Sequence, residues 1–524
     1  MYKDNYSITM TASKISWMLS LINIRKMKYQ SVVLNPDYHF KNDIDRVVLY
    51  SGKQVKDYSS PDWISYLHPM QAQILSVFCE ERSLVDQYKK LSFDLNLSIE
   101  SIAKMIEPYI ENETPIYTMF SGQKIPLPTN VLIESKKKDK NFKYEDYQTK
   151  DFYCDNINIT PDRLHKAPQS MLFMLTNKCI TNCKYCYADR KTKHKSLSTS
   201  KIIEIIEEAK ELRMTYIDVI GGEIFCRKDW NIIIKKMVDN NLSPNYISTK
   251  VPITEYDIKQ LLATGYKNVV QISLDALDDY VLNSIIGTHD GYVEKIKNSI
   301  RLLCEYGFTV QIDTILTKLN IKENYLLELF EYIKTIPNLA YWEIRVPEYS
   351  IYTPESFTEI QASKKEIDFI GHFIEDEIKY KADFQIYFSD EASHYTYRKG
   401  KTTDECFHGG ACGILQDRLF ILPDGKVSVC EQLYWHPQFI IGDLKEQTIS
   451  EIWNSTKALK LFEMKANMFR NESRCHTCEA LSSCNKRHRR CFVKAIKAYG
   501  LDNWDYPDPR CIYAPEIHSK LVYE

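Results

Sequence analysis

Three cysteines stand close together just after a predicted buried strand. The strand, residues 171–175, runs into a loop that carries Cys179, Cys183 and Cys186 with the spacing C-x3-C-x2-C. Zinc sites are usually closed by four ligands, commonly in C-x2-C pairs, whereas three thiolates leave one iron of a [4Fe-4S] cluster open. The spacing therefore favours an iron-sulfur cluster with an open iron that could bind a further ligand. A closed zinc site or an adventitious cluster is the alternative.

A second set of cysteines occupies the last quarter of the chain. Eight thiols lie there, which is the number that two fully ligated cubane clusters require. They are Cys406, Cys412, Cys430, Cys475, Cys478, Cys484, Cys491 and Cys511. Between Cys412 and Cys430, the segment 420–427 with Gly425 predicts a β-hairpin. A zinc knuckle at Cys475, Cys478 and Cys484 is the alternative for part of this set.

The elements around the first cysteine loop alternate between strands and helices from Gln169 onward, as in a parallel sheet. Six strands are predicted, at 171–175, 216–220, 246–248, 269–274, 309–316 and 341–346. Six such units predict an α/β fold, an open or partial (β/α)6 barrel of the TIM type. Ligands in such sheets bind at the carboxyl ends of the strands, so the loops there are the place to look for chemistry.

Polar groups follow three of these strands. Gly221 and Gly222 let the main chain approach a ligand closely, and the Glu223 carboxylate could bind an ammonium group. Ser273 and Asp275 follow the fourth strand, and Ser248 and Thr249, at the end of the third, are weaker candidates. The sequence thus predicts a small-molecule site beside the cysteine loop.

These features resemble the radical S-adenosylmethionine (radical SAM) enzymes over about residues 169–387. The matching motif consists of Cys179, Cys183 and Cys186, with aromatic Tyr185 before the last cysteine. The resemblance implies that the cysteines hold the catalytic [4Fe-4S] cluster. It also implies that S-adenosyl-L-methionine binds next to Tyr185, with its amino group at the loop 221–223 and its ribose near Ser273 and Asp275.

Two positions depart from that family pattern. Ile224 replaces the proline that usually follows the glycine-rich loop, and Ile286 replaces an arginine that commonly precedes the glycine at position 287. The second departure affects one contact to the carboxylate of the cofactor.

The C-terminal cysteines resemble the SPASM extension of radical SAM enzymes that modify peptides and proteins. That resemblance implies one auxiliary cluster on Cys406, Cys412, Cys430 and Cys491, and a second on Cys475, Cys478, Cys484 and Cys511, hence three [4Fe-4S] clusters in all. The interval from Cys484 to Cys491 is longer than in the common form. Glu431 follows Cys430 at a position where sulfatase-maturing members carry an acidic base, and a solvated surface glutamate is the alternative.

The N-terminal part reads as a strand, three helices and a two-stranded wing. The strand is predicted at 46–50, the helices begin at His68–Pro69, near residue 84 and at Ser98, and the wing spans 116–125. This order predicts a winged helix and resembles the PqqD-like peptide-recognition domain, to which a leader peptide adds as a strand. A structural cap and a DNA-binding domain are the alternatives, but the third helix is acidic rather than basic.

The sequence predicts four regions and few electrostatic partners. We expect a winged-helix leader-peptide-binding domain at 1–130, a charged linker at 131–165, the radical SAM barrel at 166–395 and the SPASM domain at 400–515.

The 68 basic and 70 acidic residues of this 524-residue chain give a net charge of −2, which predicts neither a nucleic-acid nor a membrane partner. Thiolate clusters and the lack of a long apolar run favour a cytoplasmic, reducing location. The four remaining cysteines (Cys79, Cys154, Cys226 and Cys304) fit ordinary buried thiols.

Together these features predict a radical SAM maturase of a ribosomally synthesised peptide that installs a thioether or carbon–carbon crosslink through a 5′-deoxyadenosyl radical. The implied partners are a precursor peptide with a leader and a small electron donor such as flavodoxin or ferredoxin. One alternative is an anaerobic sulfatase-maturing type of enzyme that oxidises Cys or Ser to formylglycine. Another is a non-catalytic iron-sulfur protein that binds peptides, which the departures at Ile224 and Ile286 would suit.

Overall fold

The computed structural model describes residues 28–51, 63–120, 122–140, 142–190, 192, 194–349, 351–352, 357–389, 412–486 and 490–517. Cys406 lies outside these residues. The chain divides into two compact units, Met1–Pro161 and Asp162–Glu524. No described helix is long and apolar enough to cross a membrane.

The N-terminal unit has the predicted order of strand, three helices and hairpin. Its strands are β1 (Val32–Leu34), β2 (Tyr38–Asn42), β3 (Val47–Ser51), β4 (Ile64–Leu67), β5 (Ile116–Phe120), β6 (Gln123–Leu127) and β7 (Leu132–Glu134). Its helices are α1 (Pro69–Ser76), α2 (Leu84–Leu95) and α3 (Ile99–Ile106). Strands β2, β3 and β4 form an antiparallel sheet in that order, and β5 and β6 form the wing.

The three helices begin where the capping residues predict. Ser83 and Ser98 each accept a main-chain N–H from the first turn at 3.1 Å, and His68 forms a capping box before Pro69. The apolar residues of α1 differ in exposure. Met70 is 46% exposed, whereas Leu75 is buried. Position 70 lies in the first turn, on the solvent side of this short helix.

The segment that the composition predicts as a linker is instead part of the N-terminal unit. Strand β7 pairs antiparallel with β1, and the Tyr147 hydroxyl accepts a hydrogen bond from Phe40 N at 3.0 Å. Phe152 and Ile159 are buried in the core of the unit. Aromatic side chains scattered between the lysines of this segment supply the apolar contacts, so the unit ends at Pro161.

The second unit contains the predicted parallel strands. They are β8 (Ser170–Thr176), β9 (Tyr216–Gly221), β10 (Tyr246–Thr249), β11 (Val269–Ser273), β12 (Val310–Ile315) and β13 (Leu339–Arg345). The helices that accompany these strands are α4 (Thr199–Glu211), α5 (Trp230–Asp239), α6 (Glu255–Ala263), α7 (Asp279–Ile286), α8 (Tyr292–Glu305), α9 (Glu323–Ile333) and α10 (Lys364–Phe373). Strand β14 (Ile386–Ser389) extends the sheet parallel to β13.

The predicted hairpin around Gly425 joins this same sheet. It consists of β15 (Arg418–Ile421) and β16 (Lys426–Ser428), with Gly425 at φ 90° in the turn. Strand β15 also pairs parallel with β8, and β17 (Ile440–Asp443) completes the edge beyond β16. Four helices follow: α11 (Ile449–Trp453), α12 (Thr456–Phe462), α13 (Leu481–Lys486) and α14 (Phe492–Tyr499). The hairpin thus places Cys430 beside the first strand of the barrel.

Candidate functional site

The three-cysteine loop follows β8 and is held by main-chain hydrogen bonds. Asn182 N donates to the Ile286 carbonyl at 2.8 Å, and Lys184 N donates to the Ile285 carbonyl at 3.0 Å, both at the end of α7. The Thr181 hydroxyl lies 3.1 Å from Cys179 Sγ and 3.5 Å from Cys183 Sγ. The loop therefore gathers thiols through its backbone fold and one central hydroxyl.

Ile286 and Gly287 both have structural roles at the end of α7. Gly287 ends the helix at φ 65°, a left-handed conformation that glycine adopts without strain. A Cβ there would lie 3.1 Å from the Cβ of Asn182 in the cysteine loop. The Ile286 side chain is 1% exposed, so it packs in the core while its carbonyl supports the loop.

The glycine-rich loop after β9 lies directly against the cysteine loop. Gly222 N donates to the Thr176 carbonyl and Glu223 N to the Lys178 carbonyl, both at 2.7 Å. A Cβ on Gly222 would lie 2.1 Å from the Lys178 carbonyl oxygen, closer than any side chain can approach. The two glycines are therefore needed for the contact between the loops, beyond any contact with a ligand.

Glu223 points into the protein. It is 2% exposed, and its carboxylate accepts hydrogen bonds from the Thr249 hydroxyl at 2.9 Å and from Lys250 N at 3.3 Å. Burial raises the pKa of Glu223 to about 7, and these hydrogen bonds oppose the shift. The carboxylate connects the loop after β9 to the end of β10, which leaves the main chain of the loop as its ligand-facing part.

Tyr185 and Asp275 meet, and a residue that the sequence analysis missed joins them. The Tyr185 hydroxyl donates to the Asp275 carboxylate, and Lys250 Nζ lies 3.1 Å from the same carboxylate oxygen. Asp275 has no exposed surface. Burial and the Asp275 charge raise the pKa of Tyr185 well above its ordinary value. Position 250, directly after a predicted strand end, was the signal in the sequence that could have found Lys250.

Ser273 lies at the end of β11, half-buried, and accepts a hydrogen bond from Gln271 Nε2 at 3.2 Å. It faces the same side of the strand as Gln271, because side chains two residues apart along a strand share a face. A contact between Ser273 and the ribose of a cofactor stays a prediction.

A charged cluster occupies the ends of β12 and β13. Arg345 forms an ion pair with Asp313 and lies 3.6 Å from Glu343. Burial raises the pKa of Asp313 to about 6, and the charge of Arg345 opposes that shift. Arg345 is 44% exposed although its partner Asp313 is buried. The Arg345 guanidinium is thus paired with Asp313 on one side and exposed to solvent on the other.

Glu431 is half-buried and lies within electrostatic reach of this cluster. Burial raises the pKa of Glu431, whereas the positive charges of Arg345 and Arg418 lower it. The Glu431 charge in turn raises the pKa of Tyr187, the residue after Cys186. The structure therefore brings Glu431 toward the barrel side that carries the cysteine loop, as a base near a substrate would need to be.

The first auxiliary cysteines lie together. Burial raises the pKa of Cys430 well above its ordinary value, and charges on Glu431, Cys491 and Cys412 raise it further. Cys491 caps the N-terminus of α14, and its N–H donates to the Asp508 carboxylate at 2.9 Å. Burial raises the pKa of the Cys491 thiol to about 11, and the Asp508 charge raises it further.

The second auxiliary set is also brought together. Burial raises the pKa of Cys511 to about 12, and charges on Cys475, Cys484 and Cys478 raise it further. A shallow cleft includes Cys412 and Cys484 in its wall. Among the described residues, no three or more His, Cys, Asp or Glu side chains are arranged around a single metal-ion position. The four other cysteines are buried or half-buried.

Comparison with known proteins identifies two domains. Residues 173–333 match the radical SAM superfamily, and residues 412–479 match an iron-sulfur cluster-binding domain, SPASM. The PqqA peptide cyclase of Granulibacter bethesdensis is 21% identical over 358 residues, which cover 67% of this chain and 89% of that protein. A probable GTP 3′,8-cyclase of Methanococcus vannielii is 27% identical over 199 residues, covering 35% of this chain and 66% of that protein.

A solved structure extends the likeness over both units. Streptococcus suis SuiB bound to its precursor peptide SuiA has a TM-score of 0.58 at 12% sequence identity, covering 91% of this chain and 98% of that chain. At this identity the likeness concerns the fold. The expected α/β fold, with radical SAM and SPASM domains, is thereby confirmed.

Proposed function

Because this chain contains a radical SAM domain and a SPASM domain, we propose that it is a maturase that crosslinks residues of a ribosomally synthesised peptide. The observation that carries the proposal is the arrangement of cysteines in one unit. A three-cysteine loop lies at the carboxyl ends of the strands, and two further cysteine groups lie around and after the hairpin that joins the barrel at β8.

The residues around the cysteine loop fit an iron-sulfur cluster and S-adenosyl-L-methionine. Cys179, Cys183 and Cys186 would hold the open cluster, and the main chain of Gly221 and Gly222 is free of side chains that would block a close ligand. When bound and reduced, this pair of cofactors supplies a 5′-deoxyadenosyl radical that abstracts hydrogen from an unactivated carbon. The barrel must hold the target C–H close and exclude water and oxygen.

Glu431 would take the proton that the substrate loses. Its burial raises its pKa, which makes the carboxylate a stronger base than an exposed glutamate. The positive charge of Arg345 lowers the pKa of Glu431 against the effect of burial, and Arg345 is open enough to contact a peptide carbonyl or carboxylate. The adjacent Cys430, with Cys412 and Cys491, would hold an auxiliary iron-sulfur cluster, which when bound supplies an acceptor for the electron of the product radical.

The N-terminal unit would bind the leader of the precursor peptide. The β2 edge of its sheet is occupied, because Phe40 N donates to Tyr147 and Asn42 Nδ2 donates to the Tyr153 carbonyl at 2.7 Å. The wing, in contrast, presents Tyr117 and Met119 with 60% and 66% of their surface exposed. A peptide strand beside β5 would cover this apolar surface.

A leader-binding test compares two exposed positions on the wing with one exposed position on α2. We expect Tyr117→Glu with Met119→Glu to weaken peptide binding to the full-length protein by about tenfold or more, since apolar contacts are replaced by charge. Phe93→Glu, at a position 87% exposed on α2, is the control and leaves binding unchanged. Equal weakening by both variants would show that the wing has no special role.

The enzymatic test uses anaerobically reconstituted, reduced protein with the peptide encoded next to its gene. We expect formation of 5′-deoxyadenosine together with a peptide that has lost two hydrogen atoms and contains a crosslink by fragmentation in mass spectrometry. An aldehyde-bearing peptide would instead support formylglycine formation. Peptide binding without any cofactor cleavage would support the non-catalytic alternative.

A further inference from the structure

Lys250 lies where three loops of the candidate site meet. It directly follows β10, and its main-chain N–H donates to the Glu223 carboxylate at 3.3 Å. Its main-chain carbonyl accepts a hydrogen bond from the Tyr292 hydroxyl at 3.1 Å. The backbone of Lys250 is therefore fixed on both sides, which gives its side chain a defined origin.

The ammonium group is fixed as well. It lies 3.1 Å from the Asp275 carboxylate, bonds the Tyr185 hydroxyl, and stands 5.2 Å from the centre of the Tyr185 ring. The Lys250 side chain is 16% exposed, whereas that of Asp275 has no exposure at all. The second oxygen of Asp275 accepts a hydrogen bond from Ile315 N at 3.0 Å. A ligand entering the site therefore meets Lys250 and Tyr185 before it can reach Asp275.

The charge of Lys250 reaches the cysteine loop. Tyr185, whose hydroxyl bonds the Lys250 ammonium, stands between Cys183 and Cys186 in that loop. A cation in this place stabilises thiolates and the additional negative charge of a reduced cluster. It also attracts a carboxylate through a charge-assisted hydrogen bond.

Resting on the function proposed above, we propose that the Lys250 ammonium binds the carboxylate of the methionine moiety of S-adenosyl-L-methionine and stabilises the reduced cluster. Asp275 is then a positioning residue that holds Lys250, rather than a direct contact to the ribose. Lys250 thereby takes the place of the cation that Ile286 does not supply.

The test measures the dissociation constant of S-adenosyl-L-methionine and the midpoint potential of the loop cluster in the full-length protein. We expect Lys250→Met to weaken binding by about tenfold or more and to make the potential more negative, because a positive charge is lost. Lys250→Arg keeps the charge and should bind within about threefold of the original protein. Lys259→Met, at an exposed pair with Glu255, is the control and changes neither quantity.

A double-variant cycle tests the role of Asp275. If Asp275 acts through Lys250, Asp275→Asn weakens binding in the original protein but adds nothing in the Lys250→Met background. If the double variant instead weakens binding by the product of the two single effects, Asp275 acts independently of Lys250. That result would overturn the positioning role and support a separate contact between Asp275 and the ribose.

Three further outcomes are decisive. Binding by Lys250→Met within about threefold of the original protein, with an unchanged potential, would overturn the inference while leaving the proposed function intact. Absence of S-adenosyl-L-methionine binding by the original protein would instead overturn the proposed function. If Lys250→Met loses the loop cluster, the Lys250→Arg variant decides: loss of binding with the cluster retained contradicts the inference, and retained binding supports it.

Discussion

The loop cysteines and the auxiliary cysteines reach their positions in different ways. Cys179, Cys183 and Cys186 lie within one loop, which main-chain hydrogen bonds from α7 and the glycine-rich loop hold in shape. The auxiliary cysteines come from a hairpin, a short helix, a helix N-terminus and a C-terminal turn. The first set depends on close backbone packing, whereas the second depends on tertiary packing between distant segments.

The sharpest test of this difference removes the loop ligands together. Replacing Cys179, Cys183 and Cys186 by Ala should abolish cofactor cleavage while leaving about eight of about twelve iron atoms, since four irons belong to each cubane. Anaerobic iron and sulfide analysis with an assay for 5′-deoxyadenosine measures both. Persistent cleavage would place the radical site elsewhere, and about four irons in the original protein would contradict two auxiliary clusters.

Gly222→Ala tests whether backbone contact alone maintains the loop. An added Cβ would meet the Lys178 carbonyl oxygen at 2.1 Å, so the cysteine loop must move. We expect cofactor cleavage to fall by about 100-fold, because displacement of about 1 Å at a reaction centre has such an effect. At Gly291 an added Cβ meets nothing within 4 Å, although the backbone is at φ 76°. We therefore expect Gly291→Ala to lower the free energy of unfolding but to retain cofactor cleavage. Similar rates for both variants would refute the role of close packing.

Glu431→Gln tests the hairpin side of the site. We expect peptide crosslinking to fall by about 100-fold or more while uncoupled cofactor cleavage continues, because a proton acceptor is lost and the loop ligands are untouched. A base acts when deprotonated, so crosslinking in the original protein should decline as the pH falls through the raised pKa of Glu431.

Arg345→Met sharpens that assignment. Removing this positive charge raises the pKa of Glu431 further, so the acidic limb of the pH profile should move to higher pH. An unchanged profile would assign the base to another residue.

The smallest effect on chemistry is expected at a buried ion pair behind the hairpin. Lys497 on α14 is 2% exposed and bonds Glu348 and, at 3.2 Å, the side chain of Gln432. Lys497→Met should lower the free energy of unfolding by about 2 kcal/mol, because Glu348 loses its nearer cationic partner and keeps only Lys494, at 3.8 Å. Chemical denaturation compares it with Lys259→Met, an exposed pair expected to change stability by less than about 0.5 kcal/mol. Equal effects would show that the ion pair does not stabilise the SPASM packing.

The sequence alone predicted most of the barrel and the loop ligands. Alternating apolar strands and helices have periodicities set by local geometry, and Cys179 to Cys186 belong to one short segment, so no distant contact was needed to associate them. Ser98, which begins α3, likewise acts on the first turn beside it. The grouping of auxiliary cysteines came from family resemblance rather than from spacing.

Only the tertiary structure showed what depends on contacts between distant residues. Residues 131–161 contain many lysines, but their aromatic side chains pack in the N-terminal core, and composition averages hide such contacts. Strand β15 pairs with β8 across more than 200 residues of chain, a register that neither segment encodes by itself. Lys250 drew no attention as one lysine among many. It became significant because the ends of β10 and β11 and the cysteine loop converge, placing its ammonium beside Asp275 and Tyr185.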